Sequence, residues 1–592
     1  MPVNSFREDE KSIEAGKTKT LLRLFSYLLA YKKEILFVLL LMTCCVGVTL
    51  INPLMIEAAI DDHIGSGDCP GLFRLIAAAV FLNLTMVLFI KLRMRIMNQV
   101  CNSILMDIRQ ELYTHIQTLD FHFFDSRPTG KILSRIIGDI NSLKDVLGNC
   151  VTTLIPDFIT ICCVVAIMVA KSPALTAASL CSLPVMAAGM WFIQVLSHKR
   201  WQIFRKKSAN LNAFVHEDLS GMRIIQSFTA QEETNKTFLR LVEEHRTAYN
   251  SAVRINDAMG SVIDLCWGVG CAALYYMGIV VIGVEQISVG TLLAFGSYIN
   301  MFWRPIMNLS NFYTQIITNL AAAERIFEIL DTPSEITDEA DAVEMPPIAG
   351  SVTFDHVTFA YSDAPGVNVL QNVSFHIRPG ETIALVGPTG AGKTTIVNLI
   401  SRFYNASGGR VLIDGQDVRR VTLESLRSQM GIMTQDNFLF SGTVRENIRY
   451  GRLDATDEEI ESAAKAVNAH EFIMKLEKGY DTQLSERGGG LSVGQRQLLA
   501  FARTFLSMPR ILILDEATSS IDTKTELLVQ QGIDTLLKGR TSFVIAHRLS
   551  TIQKADRIFV IDQGGILEEG TAKELLAKKG AYYRLYMAQF AL

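Results

Sequence analysis

Cysteine is absent from this chain beyond residue 271. The ten cysteines lie at positions 44, 45, 69, 101, 150, 162, 163, 181, 266 and 271. Most of them fall inside apolar runs, where a cysteine behaves as a small, polarizable hydrophobe. Only Cys69 is expected to face outward, and no cysteine spacing suits zinc. The sequence therefore indicates neither an intrachain extracellular disulfide nor a zinc site.

A large excess of charge of one sign is also missing. The chain has 56 Lys and Arg against 60 Asp and Glu, a formal net charge of −4. Nucleic-acid-binding domains usually carry a strong basic excess, so no nucleic acid partner is indicated. The hydrophobic fraction, by contrast, is 49%, which is high for a wholly soluble protein of this length.

Six long apolar runs account for this hydrophobic content. They predict transmembrane helices at about 35–56, 71–91, 147–170, 173–197, 258–284 and 288–318. The run from Ile35 to Ile56 holds 22 residues without a charge, and a membrane span needs about 20. We predict an α-helical transmembrane domain over 1–330, a linker over 331–350 and a second domain over 351–592.

The loops between the runs predict the orientation of the helices. Segments 91–145 and 198–257 carry eight and ten Lys or Arg, whereas segment 57–73 has four carboxylates and no Lys or Arg. The positive-inside rule therefore places both long segments and both chain ends in the cytoplasm. The first twenty residues are polar and charged, so no cleavable signal peptide is expected.

Three charged residues interrupt the apolar runs. Asp157, Asp264 and Arg304 are expected at comparable depth in the membrane, where a charge costs at least ~2.5–3.5 kcal/mol on insertion scales. One interpretation is a structural ion pair between helices. The other is that Arg304 faces a central cavity and contacts substrate or an anionic lipid headgroup, with Asp264 as its resting partner.

The second domain has the pattern of an α/β fold with a P-loop. Short apolar strands are predicted at 369–377, 382–386, 511–514, 542–546 and 557–561, alternating with helical segments. The stretch "ETIALVGPTGAGKTT" reads as strand, turn and helix start, with Gly387, Gly392, Lys393 and Thr394 at the P-loop spacing. In such a loop, backbone N–H groups surround phosphates, the lysine reaches the β- and γ-phosphates, and the threonine hydroxyl binds Mg²⁺.

A second motif, "RILILDEATSSID", completes this chemistry. Four apolar residues predict a strand buried on both faces. Asp515 at its end is a candidate to hold Mg²⁺ through water, and Glu516 to orient and deprotonate the attacking water. His547, directly after another predicted strand, is a candidate contact to the γ-phosphate, although a lone histidine is more often structural.

With these motifs the chain resembles a half-transporter of the ATP-binding cassette (ABC) exporter family, of the bacterial multidrug and lipid type. "FFDSRPTGKILSRIIGDI" (123–140) is similar to the family's first intracellular loop, and "AAAERIFEILD" (321–331) to its exit from helix six. The resemblance implies that Tyr361 stacks on adenine, as base–aromatic stacking would favour. It also implies that Gln435 is the Q-loop glutamine, Asp522 the D-loop aspartate and His547 the switch histidine. The expected location is the cytoplasmic (inner) membrane of a bacterium.

The stretch "LSVGQ" (491–495) resembles the family signature. In the family, this motif caps ATP bound by the other nucleotide domain of a head-to-tail dimer. The resemblance therefore implies a second half-transporter as partner, in a homodimer or a heterodimer. The similarity of "VGPTGAGKTTIVNLISRFY" and "IDTKTE" to heterodimeric halves favours the heterodimer. Val493 replaces the middle glycine of the usual motif, where a side chain could crowd the nucleotide, although several multidrug exporters of this type resemble this chain here.

The predicted site can be stated residue by residue. The expected catalytic residues are Glu516, His547, Gln435 and Lys393. The expected ATP-binding residues are Tyr361, Gly387, Pro388, Thr389, Gly390, Ala391, Gly392, Lys393, Thr394, Thr395, Gln435, Ser492, Gly494, Gln495 and Asp522. The expected Mg²⁺ ligands are Thr394, Gln435 and Asp515.

These features predict ATP-driven export of small amphipathic molecules by alternating access. ATP would draw two nucleotide domains together, and hydrolysis would reset them. An ATP-gated channel or regulatory subunit and a peptide exporter remain alternatives, and the intact Glu516 favours hydrolysis over gating. About thirty residues precede the first helix, too few for the peptidase domain of peptide-processing exporters, which favours drugs or lipids as substrates.

Overall fold

The computed structural model describes residues 17–283, 287–361, 366–434, 437–515, 523–545 and 549–590, without some side chains at helix ends and within 303–318. These residues form two compact units. The first comprises residues 1–116 and 130–331, and the second comprises 117–129 and 332–592. Segment 117–129 lies inside the predicted membrane domain 1–330 but belongs to the second unit.

The first unit is built from helices, as its apolar runs predict. The helices in this part of the chain are α1 (Lys17–Leu29), α2 (Lys32–Ala58), α3 (Cys69–Thr118), α4 (Phe121–Asp125, in the second unit), α5 (Thr129–Ser134), α6 (Ile140–Asn149), α7 (Ile155–Lys171), α8 (Pro173–Ser179), α9 (Leu183–Ser220), α10 (Met222–Ser227), α11 (Gln231–Tyr276) and α12 (Val289–Leu330). Turns of π-helix at Ala59–Ile64, Arg135–Asp139, Cys150–Leu154 and Met277–Gly283 extend several of them.

Five helical stretches among the described residues are long and apolar enough to cross a membrane. They are Lys32–Ile64, Cys69–Thr118, Thr129–Lys171, Pro173–Ser220 and Gln231–Gly283. A sixth apolar stretch, Val289–Phe302, is shorter and forms the start of α12. The first four predicted spans, and residues 258–283 of the fifth, thus each lie within an apolar helical stretch, and the exact number of six does not follow from the described residues.

Two carboxylates connect the start of α12 to neighbouring helices of the first unit. Asp61 accepts hydrogen bonds from the Ser288 hydroxyl and, at 2.9 Å, from the Gly290 N–H at the start of α12. Glu57 forms an ion pair with Lys171 and accepts from the Thr291 hydroxyl at 2.8 Å. A carboxylate beside a helix N-terminus is favourable for both hydrogen bonding and the helix dipole. These contacts fix the start of α12 against α2 and α7.

The other end of α12 is held by an arginine. Arg325 donates to both oxygens of Asp139 at 2.8 and 2.6 Å, and Arg135 donates to the same carboxylate at 3.1 Å. Only 15% of the Asp139 side chain is exposed. Bidentate arginine–carboxylate pairs are among the stronger polar contacts in proteins. The pair therefore links the last turns of α12 to the π-helical turn before α6.

The described residues of the second unit form three sheets. Its strands are β1 (Val352–Phe359), β2 (Leu370–Ile377), β3 (Thr382–Val386), β4 (Gly408–Ile413), β5 (Gln416–Asp417), β6 (Met430–Met433), β7 (Gly442–Thr443), β8 (Gln483–Leu484), β9 (Ile511–Asp515), β10 (Thr541–Ile545), β11 (Arg557–Asp562) and β12 (Gly565–Gly570). Its helices after α4 are α13 (Lys393–Ile400), α14 (Leu423–Arg427), α15 (Val444–Arg449), α16 (Asp457–Ala466), α17 (His470–Ile473), α18 (Val493–Leu506), α19 (Thr523–Leu537), α20 (Leu549–Lys554), α21 (Ala572–Lys578) and α22 (Ala581–Phe590). Each predicted strand overlaps an observed one.

The topology of the six-stranded sheet creates the site. Its order is β12-β11-β3-β10-β9-β6, and all neighbours are parallel except β12. β3, β6, β9 and β10 therefore end at the same edge, the usual location of ligands in open α/β sheets. An antiparallel sheet, β2-β1-β4-β5, and a two-stranded ribbon of β7 and β8 complete the unit.

Candidate active site

The P-loop connects β3 to α13 and requires glycine at two positions. Gly387 has φ +151°, and a Cβ there would stand 2.1 Å from the Ile561 carbonyl oxygen. Gly392, the residue before α13, has φ +103°, and its Cβ would stand 2.9 Å from the Leu370 side chain. Side chains at these positions are thus excluded both by backbone conformation and by contact. The loop can turn tightly enough to present its N–H groups at the start of α13.

The Lys393 side chain folds back over this loop. Its ammonium donates hydrogen bonds to the carbonyl oxygens of Gly387 and Pro388, both at 2.8 Å. Burial lowers the pKa of Lys393, and the negative charge of Asp515 partly opposes this shift. Pro388, Thr389 and Gly390 are exposed, whereas Ala391 is buried. The cation therefore lies beside an open loop, where a phosphate group would be accessible to it.

The two threonines of the predicted site have different environments. Thr394 is exposed at the first turn of α13, while Thr395 is buried and its hydroxyl pairs with the Tyr361 hydroxyl at 3.0 Å. The partly exposed Tyr361 ring packs edge-on against Phe359, with ring centroids 4.8 Å apart. Thr394 is thus available to a ligand, and Thr395 positions the tyrosine.

Tyr404 and Asp125 extend this cluster and were missed by the sequence analysis. The Tyr404 ring lies edge-on to Tyr361 at 5.2 Å, and its hydroxyl donates to Asp125 of α4 at 2.7 Å. Burial and the Asp125 carboxylate raise the pKa of Tyr404 above its ordinary value. The phenol therefore stays protonated and keeps donating. A continuous set of contacts runs from α4 through two tyrosines to the P-loop helix.

A second aromatic contact holds α4 in place. Phe121 packs on Phe403 with ring centroids 4.2 Å apart, and the Arg427 guanidinium lies 4.9 Å from the Phe403 ring. Asp120 caps α4 by accepting from the Phe123 N–H at 3.1 Å. The aromatic pair Phe403–Tyr404, three residues after the end of α13, was the only sequence signal for these contacts. The pair does not indicate which residues about 280 positions earlier in the chain it contacts.

Asp515 ends β9 at the edge where the P-loop begins. It is partly exposed, and its electrostatic influence reaches Lys393. Gln435, Glu516, Asp522 and His547 lie outside the described residues, although β6, β9 and β10 end within two residues of three of them. The Thr394 hydroxyl and the Asp515 carboxylate supply the hard oxygen ligands that Mg²⁺ prefers. These two residues fit the ion.

The signature stretch forms the capped start of α18. The Ser492 hydroxyl accepts from the Gln495 N–H at 3.2 Å, and the Gln495 side chain accepts from the Ser492 N–H at 2.9 Å. Ser492 is exposed, Gly494 is buried, and the Val493 side chain is 40% exposed. An N-terminus of this kind favours anions. The exposed Val493 side chain lies at this N-terminus, and its crowding of a nucleotide stays a prediction.

The described membrane charges have separate environments. Asp157 accepts a hydrogen bond from the Asn308 side chain at 2.9 Å. Asp264 is exposed on α11 and forms no hydrogen bond or ion pair with another described residue. The Arg304 side chain lies outside the described residues, as does the predicted pair between it and Asp264.

Comparison with known proteins identifies the family. The family description "ABC transporter transmembrane region" matches residues 35–306, and "ABC transporter" matches 370–519. The ABC transporter ATP-binding protein YknV of Bacillus subtilis is 43% identical over 96% of this chain and 94% of its own. The chain belongs to the ABC transporters. An ATP-dependent lipid A-core flippase of Syntrophus aciditrophicus is 39% identical, covering 84% of this chain and 82% of its own.

A solved structure agrees with this assignment. The structure of a bacterial Atm1-family ABC exporter with ATP bound matches with a TM-score of 0.78 and 30% identity, covering 95% of this chain and 99% of that one. This ABC transporter chain is therefore a multi-pass membrane protein with an ATP-binding domain fused behind its membrane region. It carries one of each domain, which is half of the complete arrangement, so it needs a second half.

Proposed function

We propose that this chain is one half of a dimeric exporter that hydrolyses ATP to move small amphipathic molecules, drugs or lipids, across the cytoplasmic membrane of a bacterium. The observation that carries the proposal is the P-loop at the carboxyl edge of the sheet, in a chain whose described residues include five helical stretches long and apolar enough to span a membrane. In this proposal α12 is the sixth span, and residues 1–330, 331–350 and 351–592 are membrane domain, linker and nucleotide-binding domain. Both chain ends and the nucleotide-binding domain lie in the cytoplasm.

The nucleotide site works chiefly by positioning and charge. Gly387 to Thr395 surround the phosphates, with Lys393 beside the β- and γ-phosphates and Tyr361 against the adenine. Glu516 orients and deprotonates the attacking water. Gln435 and His547 contact the γ-phosphate region. Support comes from the exposed loop and from the ammonium of Lys393 held beside it.

A magnesium ion belongs to this proposal as the partner of the phosphates. Thr394, Asp515 and Gln435 would hold it, and when bound it would neutralise charge on the phosphate oxygens. The exposed hydroxyl of Thr394 and the partly exposed carboxylate of Asp515 support this assignment.

The signature motif acts on the partner's nucleotide in this proposal. Ser492, Gly494 and Gln495 at the start of α18, of which Ser492 is exposed, approach the γ-phosphate held by the other half, and Asp522 joins the same interface. Closure with two ATP molecules then supplies contacts that exist only in the closed state. The resemblance of the P-loop region to heterodimeric halves favours a different chain as the partner.

Segment 117–129 passes nucleotide-driven movement toward the membrane helices. The contacts Asp125–Tyr404, Tyr404–Tyr361 and Tyr361–Thr395 support this role, because they link α4 to the first turn of α13. The name of the similar lipid A-core flippase supports an amphipathic substrate for this chain as well.

The decisive experiment replaces the proposed base. In proteoliposomes, Glu516→Gln should retain ATP binding while ATP hydrolysis falls by at least about 10²-fold, because the water loses its positioning group. Glu471→Gln, an exposed position on α17, is the matched control and should hydrolyse ATP normally. Near-normal hydrolysis in Glu516→Gln would refute the assigned role.

A further inference from the structure

A cavity of about 550 Å³ lies between α9 and α11. α9 lines it with Arg200, Ile203 and Lys207, which are three and four residues apart and so share one face of the helix. α11 contributes Arg240, Glu243, Glu244, Thr247, Ala248 and Ser251. A second cavity, of about 410 Å³, shares Thr247 and Ser251 and adds Arg246 and Arg254. We call the two together the α9–α11 groove.

The two helices are fixed against each other next to this groove. Trp201 packs edge-on against Phe204 at 5.3 Å, and the Phe204 ring lies 5.4 Å from Tyr249 and 5.0 Å from His245. Aromatic pairs in such geometries stabilise beyond the area they bury. The groove is therefore formed by a packed helix pair.

The groove carries a surplus of positive charge. Lys207 pairs with Glu244 at 2.6 Å and Arg246 with Glu243 at 2.7 Å, so both carboxylates are already neutralised. Arg200, Arg240 and Arg254 are exposed and form no ion pair or hydrogen bond with another residue that the structure describes, although the charge of Arg240 helps to lower the pKa of the nearby Glu244. The guanidinium groups of Arg200 and Arg254 thus remain for an external anion. Guanidinium binds phosphate well through paired N–H groups.

The location of the arginines fits a lipid headgroup. Arg200 comes three residues after the predicted span 173–197, and Arg254 four residues before the span 258–284. At about 1.5 Å per residue, both stand within roughly 6 Å of the apolar ends. Phe192 and Leu196 lie eight and four residues before Arg200, on the same face of α9, and are 65% and 36% exposed. This face of α9 thus changes from apolar at Phe192 and Leu196 to cationic at Arg200.

We propose that the α9–α11 groove binds the anionic headgroup of a lipid from the cytoplasmic leaflet, with its acyl chains along Phe192 and Leu196. Basic pockets between membrane helices on the cytoplasmic side suit such headgroups. The assignment of the leaflet rests on the orientation proposed above. The binding itself needs neither ATP hydrolysis nor transport.

The test measures lipid binding to the full-length protein in detergent by native mass spectrometry. Phosphatidylglycerol should bind more tightly than phosphatidylcholine, and Arg200→Gln combined with Arg254→Gln should weaken phosphatidylglycerol binding by roughly tenfold to thirtyfold. Lys199→Gln combined with Lys206→Gln is the matched control, since both lysines are exposed on α9 and neither lines the groove. The control should change binding less than about twofold.

Two results would overturn the proposal. Equal loss of phosphatidylglycerol binding in both double variants would assign the effect to general surface charge. Glycerol 3-phosphate binding as tightly as phosphatidylglycerol would assign the groove to a soluble phosphate instead of a lipid. The binding measurement contains no ATP. If the protein binds phosphatidylglycerol but fails to hydrolyse ATP, only the exporter proposal is refuted.

Discussion

At the scale of single residues, the P-loop glycines differ in what they prevent. The Cβ of an alanine at 387 would meet a backbone carbonyl at 2.1 Å, which no side-chain movement can relieve. At 390 the backbone also has a positive φ, +85°, but a Cβ there would meet nothing within 4 Å. A side chain at 387 would therefore meet both backbone strain and a steric clash, whereas a side chain at 390 would meet backbone strain alone.

Gly387→Ala should destabilise the second unit by more than about 3 kcal/mol, since a collision with backbone adds to the conformational strain. Gly390→Ala should cost only about 1–2 kcal/mol, the usual cost of a left-handed conformation for an L-residue. Urea unfolding of the purified full chain, followed with and without ATP, measures both. Equal loss in the two variants would contradict the steric account.

These residues also show how far sequence reasoning reaches. The P-loop and the strands around it were predictable because their signals are local: a fixed glycine spacing and short runs of apolar residues such as Ile511 to Leu514. The Tyr404–Asp125 contact was not predictable, because no local pattern joins residues about 280 positions apart. The number of membrane spans was only partly predictable, since the apolar stretch at the start of α12 ends at Phe302, whereas the helix continues to Leu330.

At the scale of elements, the start of α18 combines two roles in one serine. Ser492 caps its own helix through Gln495 and is proposed to meet the partner's nucleotide. Ser492→Ala should lose both, with the cap worth about 1 kcal/mol. Ser492→Asp should keep the cap but place a negative charge toward the γ-phosphate.

Both variants should therefore lose ATP-driven association of the two nucleotide-binding domains, measured by crosslinking, while only the alanine variant lowers the unfolding temperature. Crosslinking that stays intact in Ser492→Asp would show that Ser492 does not approach the nucleotide.

The second element in question is α12, whose far end depends on Arg325. Removing this arginine should destabilise the first unit by about 1.5–3 kcal/mol, because a largely buried carboxylate loses two charged hydrogen bonds and keeps Arg135. Arg325→Ala should thus lower the thermal unfolding temperature in detergent. Lys236→Ala, which breaks exposed pairs with Glu232 and Glu233, should change it little. A similar fall in both would refute the structural role of the α12 pair.

At the scale of the whole molecule, neither unit is a continuous piece of chain. Residues 117–129 belong to the second unit, yet they are flanked on both sides by the first. A fragment that starts at residue 332 would lack Phe121 against Phe403 and Asp125 against Tyr404. It would expose part of an aromatic surface that is covered in the full chain.

Fragment 332–592 should therefore unfold at a lower temperature than the same unit in the full chain. A peptide of residues 117–129 added to the fragment should raise its unfolding temperature by mass action. The same peptide with Phe121→Ala and Asp125→Asn should have little effect, and an identical response to both peptides would contradict the contacts described. Differential scanning calorimetry measures each case.

This interleaving also means that the two parts of the second unit are synthesised at different times. The ribosome makes residues 117–129 roughly two hundred residues before it reaches the rest of their unit, a delay of about 10–40 s at 5–20 residues per second. During that interval Phe121 and Asp125 lack their partners Phe403 and Tyr404. A nascent chain in this state offers a short apolar segment to chaperones or to the membrane surface. Mutations that slow translation between 130 and 331 should therefore lower yield without altering any contact of the finished protein.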